Sequence, residues 1–153
     1  MPTQITDFSE IETEFHKRVR DAIYANVASV DAQNRPRSRV LHPIWEGKTG
    51  WILTWPMSYK SKHLANNPFV SLAYIKNPIE PVYVDCKAEW ENEPSEKQRI
   101  WDLFLNTPPP VGYDPSVAFE SVDNPKFGLL KLTPWRIQIY RLEPENESLI
   151  WHA

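Results

Sequence analysis

The chain has 153 residues, a length that suits one domain with one core. Its formal net charge of −3 indicates no basic surface for binding nucleic acid. No apolar run approaches the roughly 20 residues that span a bilayer, and the first ten residues are acidic and polar, so we expect a cytoplasmic protein without a membrane segment. Cys86 is the single cysteine and the four histidines are scattered, so neither an internal disulfide nor a metal site is expected.

The chain opens with a predicted amphipathic helix over residues 9–23. Ser9 and Glu12 have the spacing of a capping box, and apolar residues then recur on one face from Ile11 to Ile23. Beyond this helix the pattern becomes one of β-strands.

In the next part of the chain, side-chain character alternates from one residue to the next with a period of two, which is typical of β-strands. A first strand begins at Asn26, and a second carries Arg35, Arg37 and Arg39 on one face. With the apolar run Trp51–Trp55, these strands predict a three-stranded meander.

After Pro56 the sequence predicts a short helix, then strands, a second helix and a loop rich in proline. The predicted ranges are a helix over Ser58–Asn67 with Ser58 as N-cap, strands over Phe69–Ile75 and Val82–Trp90, a helix from near Pro94, a loop over Thr107–Pro115, a strand over Phe127–Leu142 broken at Pro134, and a short strand over Leu149–Trp151. Six or so consecutive strands favour a closed antiparallel barrel, because closure removes the exposed edges of a small sheet.

One segment has the chemistry of an anion site. The first turn of the helix after Pro56 offers free N–H groups, to which Ser58 adds a hydroxyl and Lys60 a positive charge. Arg37 or Arg39 on the neighbouring strand would complete the site. The same residues also fit a solvated basic helix that Ser58 merely caps.

A resemblance to a known family bears on this choice. The pattern Thr54-x-x-x-Ser58-x-Lys60, followed by Asn66-Asn67-Pro68 and a Val-Ser-Leu strand, resembles a segment of the pyridoxamine phosphate oxidases. Pro36–Leu41 is similar to their Pro-x-x-Arg-x-Val strand, and Lys87-Ala88-Glu89 to a strand further along. The similarity runs from about Asn26 to Trp90, and more loosely to Tyr140.

The resemblance implies one domain over residues 1–153, mainly β, with the fold of a six-stranded antiparallel split barrel that binds FMN. Arg39 and Lys60 would neutralise the FMN phosphate, and the main chain of Arg39–His42 would run beside the flavin ring. Tyr59 stands where the family has an arginine. The cofactor-binding residues so implied are Arg39, Val40, Leu41, His42, Thr54, Ser58, Tyr59 and Lys60.

The function expected from this resemblance is that of an FMN-dependent oxidoreductase acting on a small molecule. A flavin, deazaflavin or haem carrier or sensor without turnover is the alternative on the same fold. No catalytic residue is assigned, although His42 is a candidate for stabilising negative charge on a reduced ring. The final residues, 148–153, lack the family's Arg-x-His segment, so oxidation of pyridoxamine phosphate is not expected.

The resemblance also implies a homodimer with cofactor sites between the chains. Seven tryptophans agree with this, because aromatic side chains are enriched at interfaces. Trp101, Tyr113 and Trp135 are the residues expected to cover the cofactor of the partner.

Overall fold

A computed structural model describes residues 1–142 and 147–153. Within them the fold is mostly β, with four α-helices and a 3-10 helix over Phe8–Glu10. The strands are β1 (Thr3–Ile5), β2 (Ala25–Val30), β3 (Pro36–Leu41), β4 (Ile44–Glu46), β5 (Thr49–Thr54), β6 (Phe69–Tyr74), β7 (Val82–Glu91), β8 (Gly128–Ile139) and β9 (Leu149–His152). The helices are α1 (Glu12–Ala22), α2 (Tyr59–Asn66), α3 (Pro94–Asn106) and α4 (Ser116–Phe119). No helix in these ranges is long and apolar enough to cross a membrane.

The strands form one mixed sheet in the order β1-β9-β8-β7-β6-β2-β3, with β5 joined to β8 and β4 to β5. All pairs are antiparallel except β1 with β9. The long strand β8 pairs with β7 on one side. On its other side it pairs first with β5 and then with β9. This division lets one strand join the two halves of the split barrel.

The structure confirms the split-barrel type of fold, but the number of strands differs from the number expected. The described residues form nine strands rather than six: the short strand predicted over Leu149–Trp151 is present as β9, and the short strands β1 and β4 are additional. Pro134 does not break β8. The pairing instead shifts register between Asp85 and Cys86, opposite Pro134, because proline has no N–H to donate to the ladder.

The predicted three-stranded meander is wrong. Within the described residues β3 pairs with β2 alone, whereas β5 pairs with β4 and β8. Pro43 follows the end of β3, and the buried residues Ile44 and Trp45 then form a separate hairpin with β5. Gly47 in its turn has a φ of +54°, a conformation that suits glycine.

The helix at the start of the chain is confirmed, but the predicted capping box is wrong. The Asp7 carboxylate accepts from the Ser9 N–H and caps the 3-10 helix instead, while α1 begins one residue after Ile11 without a side-chain cap. Ser9 therefore lies inside the preceding turn. Helix α3 begins at Pro94, as expected.

The apolar side chains form two clusters on opposite faces of β5. Ile52 faces the barrel interior, which also contains Phe15 of α1 and Trp45, whose indole N–H donates to the Tyr74 hydroxyl over 2.8 Å. Leu53 faces the second cluster, beneath α3. Successive residues of a strand point to opposite faces, so β5 is buried on both.

Candidate functional site

Strand β3 and the start of α2 bring two positive charges together. The Lys60 ammonium donates to the Ser58 hydroxyl over 2.9 Å. Burial lowers the pKa of Lys60, and the positive charge of Arg39 lowers it further. We refer to Arg39, Ser58 and Lys60 as the anion site.

The Arg39 guanidinium is hydrogen-bonded to residues of β2. Its Nη1 donates to the Val27 carbonyl over 3.1 Å and to the Ser29 hydroxyl over 2.8 Å. The Ser29 hydroxyl also lies 3.0 Å from His63 Nδ1, within hydrogen-bond distance. Strands β2 and β3 and helix α2 thus meet at one buried serine.

Ser29 and His63 were not among the residues that the sequence indicated. The signal for Ser29 was present, because it shares the buried face of β2 with Ala25 and Val27, and a polar side chain in such a row needs a partner. His63 had no comparable signal. Its role depends on how α2 packs against β2.

The cations of the anion site differ from the other two arginines in and just before β3. Arg35 and Arg37 lie 3.0 and 4.0 Å from the Asp31 carboxylate. Within residues 1–142 and 147–153, neither Arg39 nor Lys60 forms an ion pair with a carboxylate. Burial, and then the charge of Arg37, lowers the pKa of Arg39. Two partly buried cations without a counter-ion fit a phosphate group.

The start of α2 adds donors to this site. Ser58 occupies the N-cap position with extended backbone, as predicted, but its hydroxyl makes no capping hydrogen bond. It lies between Lys60 Nζ and Ser61 Oγ, which is 3.3 Å away. The Ser61 N–H donates to the Ser58 carbonyl over 3.1 Å, so within the described residues the N–H groups of Tyr59 and Lys60 are those left for an acceptor beyond the helix.

The side chains of the other predicted residues form none of the hydrogen bonds described for this site. Thr54 is buried at the end of β5, opposite Gly128. Val40 and Tyr59 are largely exposed, and the Lys62 ammonium lies over the Tyr59 ring. Leu41 is partly buried at the end of β3.

His42 lies apart from the anion site. Its Nε2 is 2.7 Å from the Val111 carbonyl, and its ring packs against Tyr24 and Tyr113. Burial lowers its pKa, so the neutral imidazole is favoured. With Nε2 bonded to Val111, Nδ1 is the nitrogen left for another molecule.

Two of the three residues expected to cover a partner's cofactor pack within their own chain. Trp101 is 8% exposed in the second apolar cluster, and Tyr113 packs against Phe104 and His42. The expectation for Trp101 is therefore wrong, because α3 turns this side chain inward. Trp135 is 45% exposed.

Comparisons with known proteins agree with this architecture. The family model described as pyridoxamine 5'-phosphate oxidase matches residues 11–140. A comparison with curated protein sequences found no match.

Several solved structures share the fold. A protein related to general stress protein 26 from Clostridium acetobutylicum aligns with a TM-score of 0.75 at 14% identity, covering 95% of this chain and 96% of that one. A pyridoxamine 5'-phosphate oxidase-related, FMN-binding protein from Nostoc punctiforme aligns with a TM-score of 0.62 at 15% identity, covering 94% and 96%. HutZ, the haem storage protein from Vibrio cholerae, aligns with a TM-score of 0.66 at 17% identity, covering 87% and 98%.

Proposed function

Because this chain belongs to the pyridoxamine 5'-phosphate oxidase family, we propose that it is an FMN-dependent oxidoreductase whose anion site binds the flavin phosphate. The observation that carries the proposal is the pair of cations, Arg39 and Lys60, which lie together without a carboxylate partner among the described residues. Their own side chains supply the positive charge, and Ser58 supplies a hydroxyl beside Lys60. Burial first, and then the charge of Arg39, lower the pKa of Lys60, and a dianionic phosphate would offset both effects by stabilising the charged ammonium.

The chain's part in the reaction is to bind and orient the cofactor. FMN, when bound, supplies two-electron redox chemistry. Ser29 accepts a hydrogen bond from the Arg39 guanidinium and so holds it in place within the anion site. Strand β3 pairs with β2 on one side, so main-chain groups on its other edge, in the segment Arg39–His42, are available to the flavin ring.

We further propose that a second copy of the chain covers this cofactor. Exposed apolar side chains lie on the segments that carry the anion site: Val40 on β3, and Trp55, Met57 and Tyr59 before and at the start of α2, each more than half exposed. Apolar side chains grouped in this way are typical of an interface. A two-fold axis would cover both sites with one self-complementary surface.

A binding protein without turnover is the second candidate, because the same fold serves as a haem storage protein in Vibrio cholerae. The carboxylates of haem and the phosphate of a deazaflavin are also anions that Arg39 and Lys60 would bind. The absorption spectrum of the purified protein distinguishes these cases. We expect flavin bands, whereas a Soret band would contradict the proposal in favour of haem. Turnover with a reduced nicotinamide or an amine would separate an enzyme from a carrier.

Replacing Lys60 tests the phosphate site directly. Lys60→Ala is expected to weaken FMN binding about ten- to a hundredfold, because a charge-assisted hydrogen bond contributes roughly 1.5 to 3 kcal/mol. Titration of the flavin-free protein by fluorescence measures the dissociation constant. Lys62→Ala is the matched control, since Lys62 is on the same helix and contacts Tyr59. An unchanged dissociation constant for Lys60→Ala would rule out this phosphate site.

A further inference from the structure

A groove of about 530 Å³ lies beside the ends of β3 and β5, under the segment that follows α3. Its walls include Tyr24, His42, Leu53, Pro110, Tyr113 and Phe119. His42 and Leu53 are the chain neighbours of Leu41 and Thr54, two residues of the proposed cofactor site. The groove therefore opens next to the segments that would hold the flavin.

His42 gives this groove one defined polar atom. A carbonyl oxygen accepts hydrogen bonds and cannot donate them, so the 2.7 Å contact with Val111 places the proton on Nε2. The neutral form that burial favours then has a lone pair on Nδ1. Within the described residues no donor lies within hydrogen-bond distance of that nitrogen.

Tyr113 adds a second polar atom without charge. Its ring centroid is 4.9 Å from that of His42 and 5.1 Å from that of Phe104. Burial raises its pKa to about 12, which keeps the hydroxyl protonated at neutral pH. In residues 1–142 and 147–153 this hydroxyl has no hydrogen-bond partner.

Four aromatic rings line the groove, those of Tyr24, His42, Tyr113 and Phe119, and none of its lining side chains is an acid, a lysine or an arginine. The Tyr24 ring meets the His42 ring edge to face, 5.2 Å between centroids. Aromatic rings of this kind favour flat partners. An ionised ligand would find no counter-charge here, and its desolvation would be costly.

We propose that this groove binds an uncharged, planar aromatic molecule that donates an O–H or N–H hydrogen bond to His42 Nδ1. The binding of such a molecule in the groove does not depend on the proposed flavin function. Its role as the redox substrate does rest on that function.

Two small probes that differ in one hydrogen-bond donor test the proposal. Titration of the full-length protein with p-cresol and with 4-methylanisole, followed by amide NMR shifts of the groove residues, gives both dissociation constants. We expect p-cresol to bind about three- to tenfold more tightly, the contribution of one hydrogen bond. Equal affinities would overturn the proposal.

His42→Phe keeps the flat ring and removes the acceptor, so it is expected to abolish this preference. His152→Phe, at an exposed position on β9, is the matched control and should retain it. In the unsubstituted protein the ¹⁵N resonance of His42 Nδ1 should shift with p-cresol and not with 4-methylanisole, a readout that does not depend on a variant folding. Absence of that shift would overturn the proposal even if the protein carries flavin, whereas failure to bind flavin would leave this measurement unaffected.

Discussion

Ser29 has a larger role than its size and position suggest, because Arg39 depends on it. Replacing Ser29 by alanine removes the hydroxyl that accepts from Arg39 Nη1 over 2.8 Å and shares a hydrogen bond with His63 Nδ1. The guanidinium would then be less well oriented, and we expect Ser29→Ala to weaken FMN binding about two- to tenfold. Flavin titration of the folded variant measures this.

Ser71→Ala is the control for that experiment, since Ser71 is exposed on the neighbouring strand β6 and donates to Asp85. Its FMN affinity should equal that of the unsubstituted protein. If Ser29→Ala also binds FMN normally, the orientation of Arg39 does not depend on β2.

His42 is expected to make stability depend on pH in mildly acidic solution. Burial lowers its pKa from the ordinary value of 6.5, so the unfolded chain takes up a proton at a higher pH than the folded chain does. The contribution of neutral His42 is therefore complete above pH 6.5 and is lost as the pH falls toward the folded pKa. Urea denaturation at pH 7.5 and 5.5 should show lower stability at the acidic pH.

His42→Phe should reduce that difference without removing it. His16 shifts in the same direction, because burial and the charge of Arg20 lower its pKa, and its contribution would persist. A variant with the same pH dependence as the unsubstituted protein would show that His42 does not contribute.

At the level of elements, the pairing of β5 with β8 depends on Gly128. A Cβ at this position would lie 2.8 Å from the Thr54 carbonyl oxygen and 2.9 Å from the Trp90 ring. The strands would have to separate, so Gly128→Ala is expected to reduce the free energy of unfolding by about 1–3 kcal/mol. Chemical denaturation measures the loss.

Gly47→Asn provides a contrast in the turn between β4 and β5. This glycine has a positive φ but open space around it, and asparagine tolerates that conformation. We expect a smaller loss than for Gly128→Ala. The reverse order would mean that the backbone conformation of the hairpin turn is the stronger constraint.

At the level of the whole molecule, the proposed dimer couples association to cofactor binding. A ligand held between two chains binds only the associated state, so FMN should stabilise the dimer. Dilution should release flavin and monomer together. Light scattering across a dilution series, with flavin fluorescence followed in parallel, measures both, and a monomer that keeps its flavin at full affinity would contradict a shared site.

The sequence by itself determined the local features and the family. Alternation with a period of two located β2, β3 and β7, Pro94 marked the start of α3, and Ser58 marked the start of α2. These features depend on residues close together in the chain, whose backbone preferences and periodicity can be read directly. The ordered motifs from Asn26 to Trp90 likewise indicated the family that the match over residues 11–140 establishes.

Tertiary structure alone decided which strands pair and which side chains meet. A period of two specifies which face of a strand is buried but not its neighbour, so β3 and β5 were predicted to be adjacent and are not. The contacts of Arg39 with Ser29, and of Ser29 with His63, depend on strand register and on the packing of α2. The groove beside His42 likewise requires Val111 and Tyr113, about 70 residues away in the chain. No local sequence pattern encodes these contacts, because they result from the packing of the whole core.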